Sequence, residues 1–405
     1  MTGAPRVVLN WLAPPAVFAA ACAAYALTGP PATQPTGGAR HFVYLAHALL
    51  TGHLELVATP PGFGDMTRFG DQWYVAFPPL PAVLLMPVVA VQGFAVNERL
   101  VSMGLGAINC VLIWVLLGRI GRGVGVGVRL GLTVTFAVGT VHWYSAQAGT
   151  VWFFAHVVAA TWVTLYCIEV CGRNRPVVAA AFLGLAGLAR TATLCGFPLF
   201  VALTWARARQ ERWSAWRLLG RLAGFGLVEG AFVGLIAGYN QVRFGSPTDF
   251  GYMAMRVADP LLPRLREHGQ FSLAFLPENL YYFLLAPPLP TPNWVSPYLE
   301  ANQWGMGLLF VSPVLLLGLR APKSALAVGA ALSAVLVALP NLLYYNTGWV
   351  QYGFRFAQDF LPFLVVLAAL GARGRLGWLA IVAIVVSVGS NYLGMRWFFK
   401  LPLPW

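Results

Sequence analysis

Long apolar runs recur along the whole chain, and they constrain its fold more than any other feature. A helix needs about 20 apolar residues to cross the hydrocarbon core of a bilayer. Only 10% of the residues are charged, against about 25% in soluble domains. The sequence therefore predicts an all-α polytopic membrane protein with one transmembrane domain over residues 1–405. The clear runs lie near 11–28, 99–118, 130–145, 151–170, 219–239, 304–319, 324–344, 358–371 and 376–394.

A further apolar run at 177–206 is interrupted by "ARTAT". It is too long for one crossing, and it predicts two short helices with Arg190 between them. The total is then about 11 transmembrane helices. We expect the run at 11–28 to be a retained first helix, because no A-x-A cleavage site followed by a soluble body comes after it.

Five connecting loops carry 14 basic residues against one acid, Glu211. The positive-inside rule places all five in the cytoplasm, so the net charge of +13 needs no nucleic-acid partner. They share one side only if 76–95 does not cross the membrane, and Pro87 disfavours a regular helix there. We therefore expect the N-terminus inside and the C-terminus outside, in the plasma (inner) membrane. The loops lie at 119–129, 173–175, 207–221, 320–323 and 373–375.

Two long segments, 29–98 and 240–303, then face the outside. In the first, apolar residues at 42, 45, 49 and 50 fit one face of a short helix lying in the membrane interface. Asp65, Arg68 and Asp71 follow it. A carboxylate near a low-dielectric surface can serve as a general base. The alternative is that Asp65 or Asp71 pairs with Arg68 or caps a helix.

The second outer segment carries basic residues against the usual trend. Guanidinium groups match phosphate bidentately, so at least one of these residues is a candidate for phosphate binding. The alternative is pairing with the nearby Asp249, Asp259 and Glu267. The cluster consists of Arg243, Arg256, Arg264, Arg266 and His268.

Two further arginines lie beside predicted crossings. Arg190 at membrane depth indicates a functional site by default, unless it only reaches the outer interface. Arg355 and Asp359 are four residues apart at the start of a predicted helix, and we expect them to pair. That pair is either a structural clamp or a way of pointing Arg355 at an anionic ligand.

The six histidines form no ligand set, and the sequence has no HExxH, CxxC, Walker or GxSxG motif. It therefore requires no cofactor, and it leaves the need for a divalent metal open.

Seven short motifs in a fixed order resemble the GT-C class of integral membrane glycosyltransferases. The resemblance is to bacterial relatives of the protein mannosyltransferase and aminoarabinose transferase group (family 39-like), and it covers most of the chain. The motifs are "HFVYLAHALLTGHLEL", "GDQWYVAFPPLPAVLLMP", "GLARTAT", "YNQVRFGSPTDFGY", "LPENL", "QWGMGLLFVSP" and "QYGFRFAQDFLPFL".

The resemblance implies an enzyme of the outer face with juxtamembrane helices in its first outer loop. It would move a sugar from a polyprenyl-phosphate donor in the lipid bilayer to an acceptor glycan, lipid or protein. The family's catalytic acid stands just after the first helix, where this chain reads "GPPATQPTGGARHF" without an acid. Asp65 is then the first candidate for the base, with Asp71 and Glu55 behind it.

The resemblance also implies basic groups that hold the donor phosphate and a pocket for sugar or acceptor. For the phosphate we expect Arg190, Arg243, Arg256, Arg264, Arg266, His268 and Arg355. For the pocket we expect His41, Tyr74, Asp249, Tyr252, Asn279, Trp304 and Asp359.

A transporter of lipid-linked sugars, or a non-catalytic membrane scaffold, is the alternative function. A transporter would need a continuous polar path through the helices. The sequence places few charges in mid-membrane positions, which favours the enzyme.

Overall fold

The structure is a computed structural model that describes residues 3–31, 39–121, 124–291 and 298–402. Residues 32–38, in the stretch that lacks the family's acid, and Arg122 of the first basic loop lie outside this description. The α-helices are α1 (Gly3–Thr28), α2 (His41–Leu50), α3 (Leu80–Gln92), α4 (Glu98–Arg119), α5 (Val126–Val138), α6 (His142–Ala148), α7 (Val151–Cys171), α8 (Pro176–Gly187), α9 (Pro198–Gln210), α10 (Ala215–Phe244), α11 (Leu262–His268), α12 (Leu276–Leu284), α13 (Leu308–Val311), α14 (Ala325–Leu342), α15 (Leu361–Gly371) and α16 (Trp378–Phe398).

Short 3₁₀ helices and two small antiparallel hairpins complete the described fold. The 3₁₀ helices are Gly93–Ala95, Thr191–Gly196, Tyr252–Ala254, Asp259–Leu261, Leu273–Phe275, Pro313–Arg320 and Arg355–Asp359. The hairpins pair β1 (Thr67–Phe69) with β2 (Gln72–Tyr74) and β3 (Leu289–Pro290) with β4 (Leu299–Glu300).

Within the described residues, six helices are long and apolar enough to cross a membrane: α1 over Trp11–Thr28, α4, α7, α10, α14 and α16. The chain is therefore a multi-pass membrane protein. Five further apolar helices are shorter, among them α2 and α3. The count of about 11 crossings and the juxtamembrane position of α2 and α3 stay predictions.

Two predicted runs are divided rather than continuous. Helix α5 ends at Val138 and α6 begins only at His142, so 130–145 is not one helix. Likewise 304–319 contains the four-residue α13 and a 3₁₀ helix that starts at Pro313. The two breaks contact each other, because the Ser312 hydroxyl donates to the Gly139 carbonyl at 2.8 Å. This bond satisfies a carbonyl that the end of α5 leaves without a helical partner.

The run at 177–206 forms two short helices, as predicted. Helix α8 ends at Gly187 and α9 starts at Pro198. Proline lacks an N–H group, so it suits the first turn of a helix and not its interior. Arg190 lies in the connection, where the main chain can turn its side chain away from lipid.

Helix α7 is the central element of the bundle. It is apolar around its whole circumference, and it packs against α4 and α8 with most of its side chains buried. A helix of this kind must be covered on all sides. It therefore holds the side chains of its first two turns in fixed positions.

The segments 29–98 and 240–303, which are predicted to lie outside and are called the first and second outer segments, are joined through their main chains. Thr67 of β1 forms an isolated β-bridge with Met255, and its hydroxyl donates to the Gly251 carbonyl at 2.8 Å. The Arg256 N–H donates to the Met66 carbonyl at 2.9 Å. These contacts fix the residues just before β1, where Asp65 lies.

Glycine at position 394 allows α16 to pack against the buried ring of Tyr352. A Cβ atom there would lie 2.1 Å from the nearest ring atom, whereas at Gly389 of the same helix nothing lies within 4 Å. We expect Gly394→Ala to lower the free energy of unfolding by about 1–3 kcal/mol, because the ring must shift. Thermal unfolding in detergent measures this. Gly389→Ala is the control, and an equal melting temperature for the two variants would contradict the packing.

Candidate functional site

A cavity of about 1280 Å³ lies between the first turns of α7, the connection after α8 and the two outer segments. Among the described residues, four cationic side chains and one acidic side chain reach its wall, so an anionic ligand is favoured. The charged lining residues are Asp65, Arg190, Arg355, Arg396 and Lys400.

Asp65 is half-buried and held on both sides. The indole Nε1 of Trp152 donates to its Oδ2 at 2.7 Å, and its own N–H donates to the Arg256 carbonyl at 2.8 Å. Its φ of 56° is left-handed, a conformation that Asp tolerates better than most residues. Burial raises the pKa of the Asp65 carboxyl, against smaller lowering effects from the Trp152 hydrogen bond and the Arg355 charge.

A closed polar network lies in the cavity wall around Asp359, which is fully buried. His156 Nδ1 lies 2.6 Å from Asp359 Oδ1, and the Arg190 Nε and Asn341 Nδ2 atoms donate to Oδ2 at 3.1 and 3.3 Å. Arg190 Nη2 also donates to Asn341 Oδ1 at 3.1 Å. The charge of Arg190 is therefore compensated within the protein.

Arg355 does not pair with Asp359, and this expectation was wrong. The two residues lie in a 3₁₀ helix, where three residues make one turn, so side chains four apart point in different directions. The Arg355 side chain is buried, with its guanidinium carbon 5.2 Å from the Phe153 ring centre and 5.3 Å from that of Phe356. No described carboxylate lies within 4.0 Å of it.

Burial lowers the pKa of Arg355 to about 10, so the group stays charged at neutral pH. A buried charge normally has a partner because removing it from water is costly. Arg355 is therefore a candidate for binding an anionic ligand in the cavity.

Asp71 and Glu55 lie away from the cavity. Asp71 is fully exposed at the β1–β2 turn, 3.5 Å from Arg68, which is the pairing alternative stated for it. Glu55 accepts from the His53 ring at 2.8 Å. Neither is near the buried cations, so only Asp65 of the three carboxylates faces the site.

Two members of the predicted outer basic cluster have partners within the protein, and the other three are exposed. Arg243 donates to the Val75 carbonyl and to Asn240, and Arg264 forms two hydrogen bonds with Glu278. The side chains of Arg256, Arg266 and His268 are exposed. None of these five lines the cavity, so the structure does not bring them to the phosphate position expected for them.

The predicted pocket residues divide in a similar way. Tyr252 lines the cavity, and Asp359 lies behind its wall. His41 is buried beneath the Asp65 loop, with its Nε2 atom 2.8 Å from the Gly64 carbonyl. Four others do not line the cavity and have contacts within the protein: Tyr74 with Gln72, Asp249 with the Gly251 N–H, Asn279 with the Leu342 and Tyr344 carbonyls, and Trp304 with the Trp349 ring.

Within the described ranges, no three His, Cys, Asp or Glu side chains form a group that could hold a metal ion.

No family model and no curated protein matches the chain, but solved structures do. The chain is similar to the oligosaccharyltransferase of Archaeoglobus fulgidus tethered with an acceptor peptide, with a TM-score of 0.50 and 13% identity over 98% of this chain and 56% of that one. The apo form gives a TM-score of 0.48, with 14% identity over 96% and 57% of the two chains. A complex of AglB from the same organism with an inhibitory peptide and a dolichol-phosphate gives 0.46, with 13% identity over 98% and 57%.

The oligosaccharyltransferase is a GT-C glycosyltransferase. The chain has a GT-C-like fold. It spans a little over half the length of the oligosaccharyltransferase, as the covered share of 56% shows. The narrower resemblance to the bacterial family 39-like enzymes stays a prediction.

Many of the residues that line the cavity escaped the sequence analysis, and five of them matter most for its charge and polar contacts. Trp152 and His156 lie four apart on the apolar helix α7, and a histidine inside a membrane segment is a signal that could have identified that position. Asn341 near the end of α14 offered no comparable signal. Arg396 and Lys400 follow the last apolar run, where basic residues are commonly interface anchors. The five are Trp152, His156, Asn341, Arg396 and Lys400.

Proposed function

We propose that the protein is a membrane glycosyltransferase that moves a sugar from a polyprenyl-phosphate donor to an acceptor at the outer face of the membrane. One observation carries the proposal. A buried arginine without a carboxylate partner among the described residues, Arg355, shares a cavity with a partly buried carboxylate, Asp65. Transfer from a lipid phosphate needs a cation for the phosphate and a base for the acceptor.

Arg355 is the group we assign to the donor phosphate. Its guanidinium can form two parallel hydrogen bonds with phosphate oxygens, and burial strengthens such bonds. Arg190 lies nearby, but Asp359 neutralises it. Arg396 and Lys400 add positive charge to the same wall. Negative charge that develops on the leaving phosphate is thus stabilised.

Asp65 is the group we assign to the acceptor. The acceptor hydroxyl gives its proton to the carboxylate while its oxygen bonds to the anomeric carbon on the face opposite the phosphate. The bond between that carbon and the phosphate oxygen breaks, and its electron pair leaves with the polyprenyl phosphate. Trp152 holds Oδ2, so Oδ1 is the oxygen that receives the proton. The product has inverted configuration.

The position at the outer face is supported by the charge pattern of the loops. The cavity is lined by residues of both predicted outer segments, among them Asp65 and Tyr252. The basic loops near 119–129 and 207–221 contribute no lining residue among those the structure describes. Both observations agree with an outward-facing cavity under the positive-inside rule.

The direct test is transfer by the purified protein in lipid nanodiscs. Polyprenyl phosphate carrying a radiolabelled sugar is mixed with envelope glycans, lipids and proteins as acceptors. We expect labelled acceptor and free polyprenyl phosphate in equal amounts. Binding of the donor without release of polyprenyl phosphate, together with its movement across the bilayer, would instead support the transporter.

Replacing Arg355 by Gln should weaken binding of sugar-free polyprenyl phosphate. The loss of a charge-assisted hydrogen bond predicts a dissociation constant about 10- to 100-fold higher. Microscale thermophoresis of the protein in nanodiscs measures it. Arg266→Gln removes an exposed arginine of the outer cluster and should leave the value unchanged. Equal affinities of wild type and Arg355→Gln would show that the phosphate binds elsewhere.

A further inference from the structure

One histidine of the cavity wall has a ring nitrogen without a partner in the described part of the chain. The His156 side chain is 1% exposed and lines the cavity. Its Nδ1 atom lies 2.6 Å from Asp359, whereas its Nε2 atom is buried and has no hydrogen-bond partner among the described residues. Buried polar atoms are nearly always paired, since an unpaired one costs free energy. A bound ligand is the partner that the cavity can supply.

The surroundings of Nδ1 define which kind of partner Nε2 needs. Asp359 also accepts hydrogen bonds from Arg190 and Asn341, so its oxygens act as acceptors. Nδ1 must then carry the ring proton and donate it to Asp359. In the neutral ring the other nitrogen is a lone-pair acceptor. The missing partner is therefore a hydrogen-bond donor, such as a hydroxyl group, and not a phosphate oxygen.

The position of His156 indicates which part of a donor substrate meets it. The Phe356 ring lies beside three groups: its centre is 5.7 Å from the His156 ring centre, and 5.3 and 5.4 Å from the guanidinium carbons of Arg355 and Arg190. In a lipid-phosphate sugar, the sugar is bonded directly to the phosphate. A phosphate at Arg355 thus brings the sugar, which is rich in hydroxyls, near His156. The polyprenyl tail, by contrast, has no hydrogen-bond donor.

We propose that His156 is a substrate-binding residue whose Nε2 atom accepts a hydrogen bond from a hydroxyl of the transferred sugar. The inference rests on the proposed function, because it takes the phosphate position from Arg355. Asp359 fixes the ring, and the hydroxyl orients the sugar between Arg355 and Asp65. The site then distinguishes a glycosylated lipid phosphate from the bare lipid phosphate that remains after transfer.

The experiment compares dissociation constants for bare polyprenyl phosphate and for polyprenyl phosphate carrying mannose, glucose or arabinose. We define the sugar contribution as the dissociation constant of the bare lipid divided by that of the glycosylated probe that binds most tightly. Asn in place of His156 keeps a donor for Asp359 near the Nδ1 position and removes the acceptor at Nε2. We expect wild type to bind the best glycosylated probe about fivefold more tightly than the bare lipid. In His156→Asn the ratio of the two dissociation constants should fall to about one, and the affinity for the bare lipid should stay unchanged.

His142 provides the matched control. It is also a fully buried histidine, but both of its nitrogens are partnered, at 3.3 Å from Gln358 Oε1 and 3.3 Å from the Gly106 carbonyl. His142→Asn should keep the sugar contribution. If His156→Asn keeps it as well, the proposal is wrong.

Monodeoxy analogues of the best probe test the same bond without a variant. In wild type, removal of one particular hydroxyl should eliminate the sugar contribution, and analogues that all bind like the parent would contradict the proposal. Failure of the proposed function looks different. In that case wild type binds neither the bare nor the glycosylated lipid phosphate, whereas failure of the His156 proposal leaves lipid-phosphate binding intact.

Discussion

Replacing Asp65 by Asn is expected to lower the rate of sugar transfer about 1000-fold, within the range that general bases contribute. The amide keeps the shape of the side chain and can still accept from Trp152, but it cannot take the acceptor proton. The measurement is single-turnover transfer with saturating labelled donor. Affinity for polyprenyl phosphate should change little, because Arg355 and not Asp65 holds the phosphate.

The pH profile gives a second result for the same residue. Burial raises the pKa of Asp65, and the base works only when deprotonated. The rate of transfer should therefore increase as the pH rises through that pKa. This increase should occur at a higher pH than the usual pKa range of a carboxyl group. Asp71→Asn, which changes an exposed carboxylate of the same loop, should leave both the transfer rate and its pH dependence unchanged. Wild-type transfer by Asp65→Asn would eliminate Asp65 as the base.

Replacing Asp359 by Ala is expected to lower the free energy of unfolding by about 3–5 kcal/mol. Removing one member of a buried ion pair leaves the other charge unpaired, and here Arg190 and His156 both lose their partner. Thermal unfolding in detergent, followed by near-UV circular dichroism, measures the change. The exposed Asp71→Ala should melt like wild type.

A double mutant identifies the cause of that loss. If the unpaired charge of Arg190 is responsible, Arg190→Gln should recover part of the stability lost in Asp359→Ala, so the two effects will not add. Additive losses, or an unchanged melting temperature in Asp359→Ala, would show that the network contributes little.

The sequence predicts the long crossings well, because an apolar run of about 20 residues has few alternatives to a helix in lipid. Helices α4, α7 and α10 follow from their runs almost directly. The breaks at Gly139 and Ser312 do not, because the hydrogen bond that joins them links residues 173 positions apart. A pattern along the chain carries no information about such a contact.

The candidate site was predictable in part. Asp65, Arg190, Arg355 and Tyr252 were among the predicted site residues, and all four line the cavity. The supporting residues were missed for a physical reason. His156 lies in a run whose apolarity is explained by membrane burial alone, and its role depends on a partner 203 positions away.

The wrong pairing of Arg355 with Asp359 has a local cause. The spacing rule for charged pairs assumes an α-helix, whereas these residues lie in a 3₁₀ turn. The error matters, because the same turn leaves the Arg355 guanidinium without a carboxylate partner among the residues that the structure describes, and places Asp359 beside Arg190 instead.

The first turns of α7 carry both Trp152, which donates a hydrogen bond to the candidate base Asp65, and His156, which contacts Asp359. The separation of Trp152 and His156 is therefore set by a single helix and can change only if that helix bends. Substitutions at Tyr252 and Tyr344, which line the cavity but do not belong to α7, should then alter which sugars or acceptors fit. The proposed reacting groups would keep their spacing. Tyr252 and Tyr344 are therefore the first positions to vary when a new substrate selectivity is engineered.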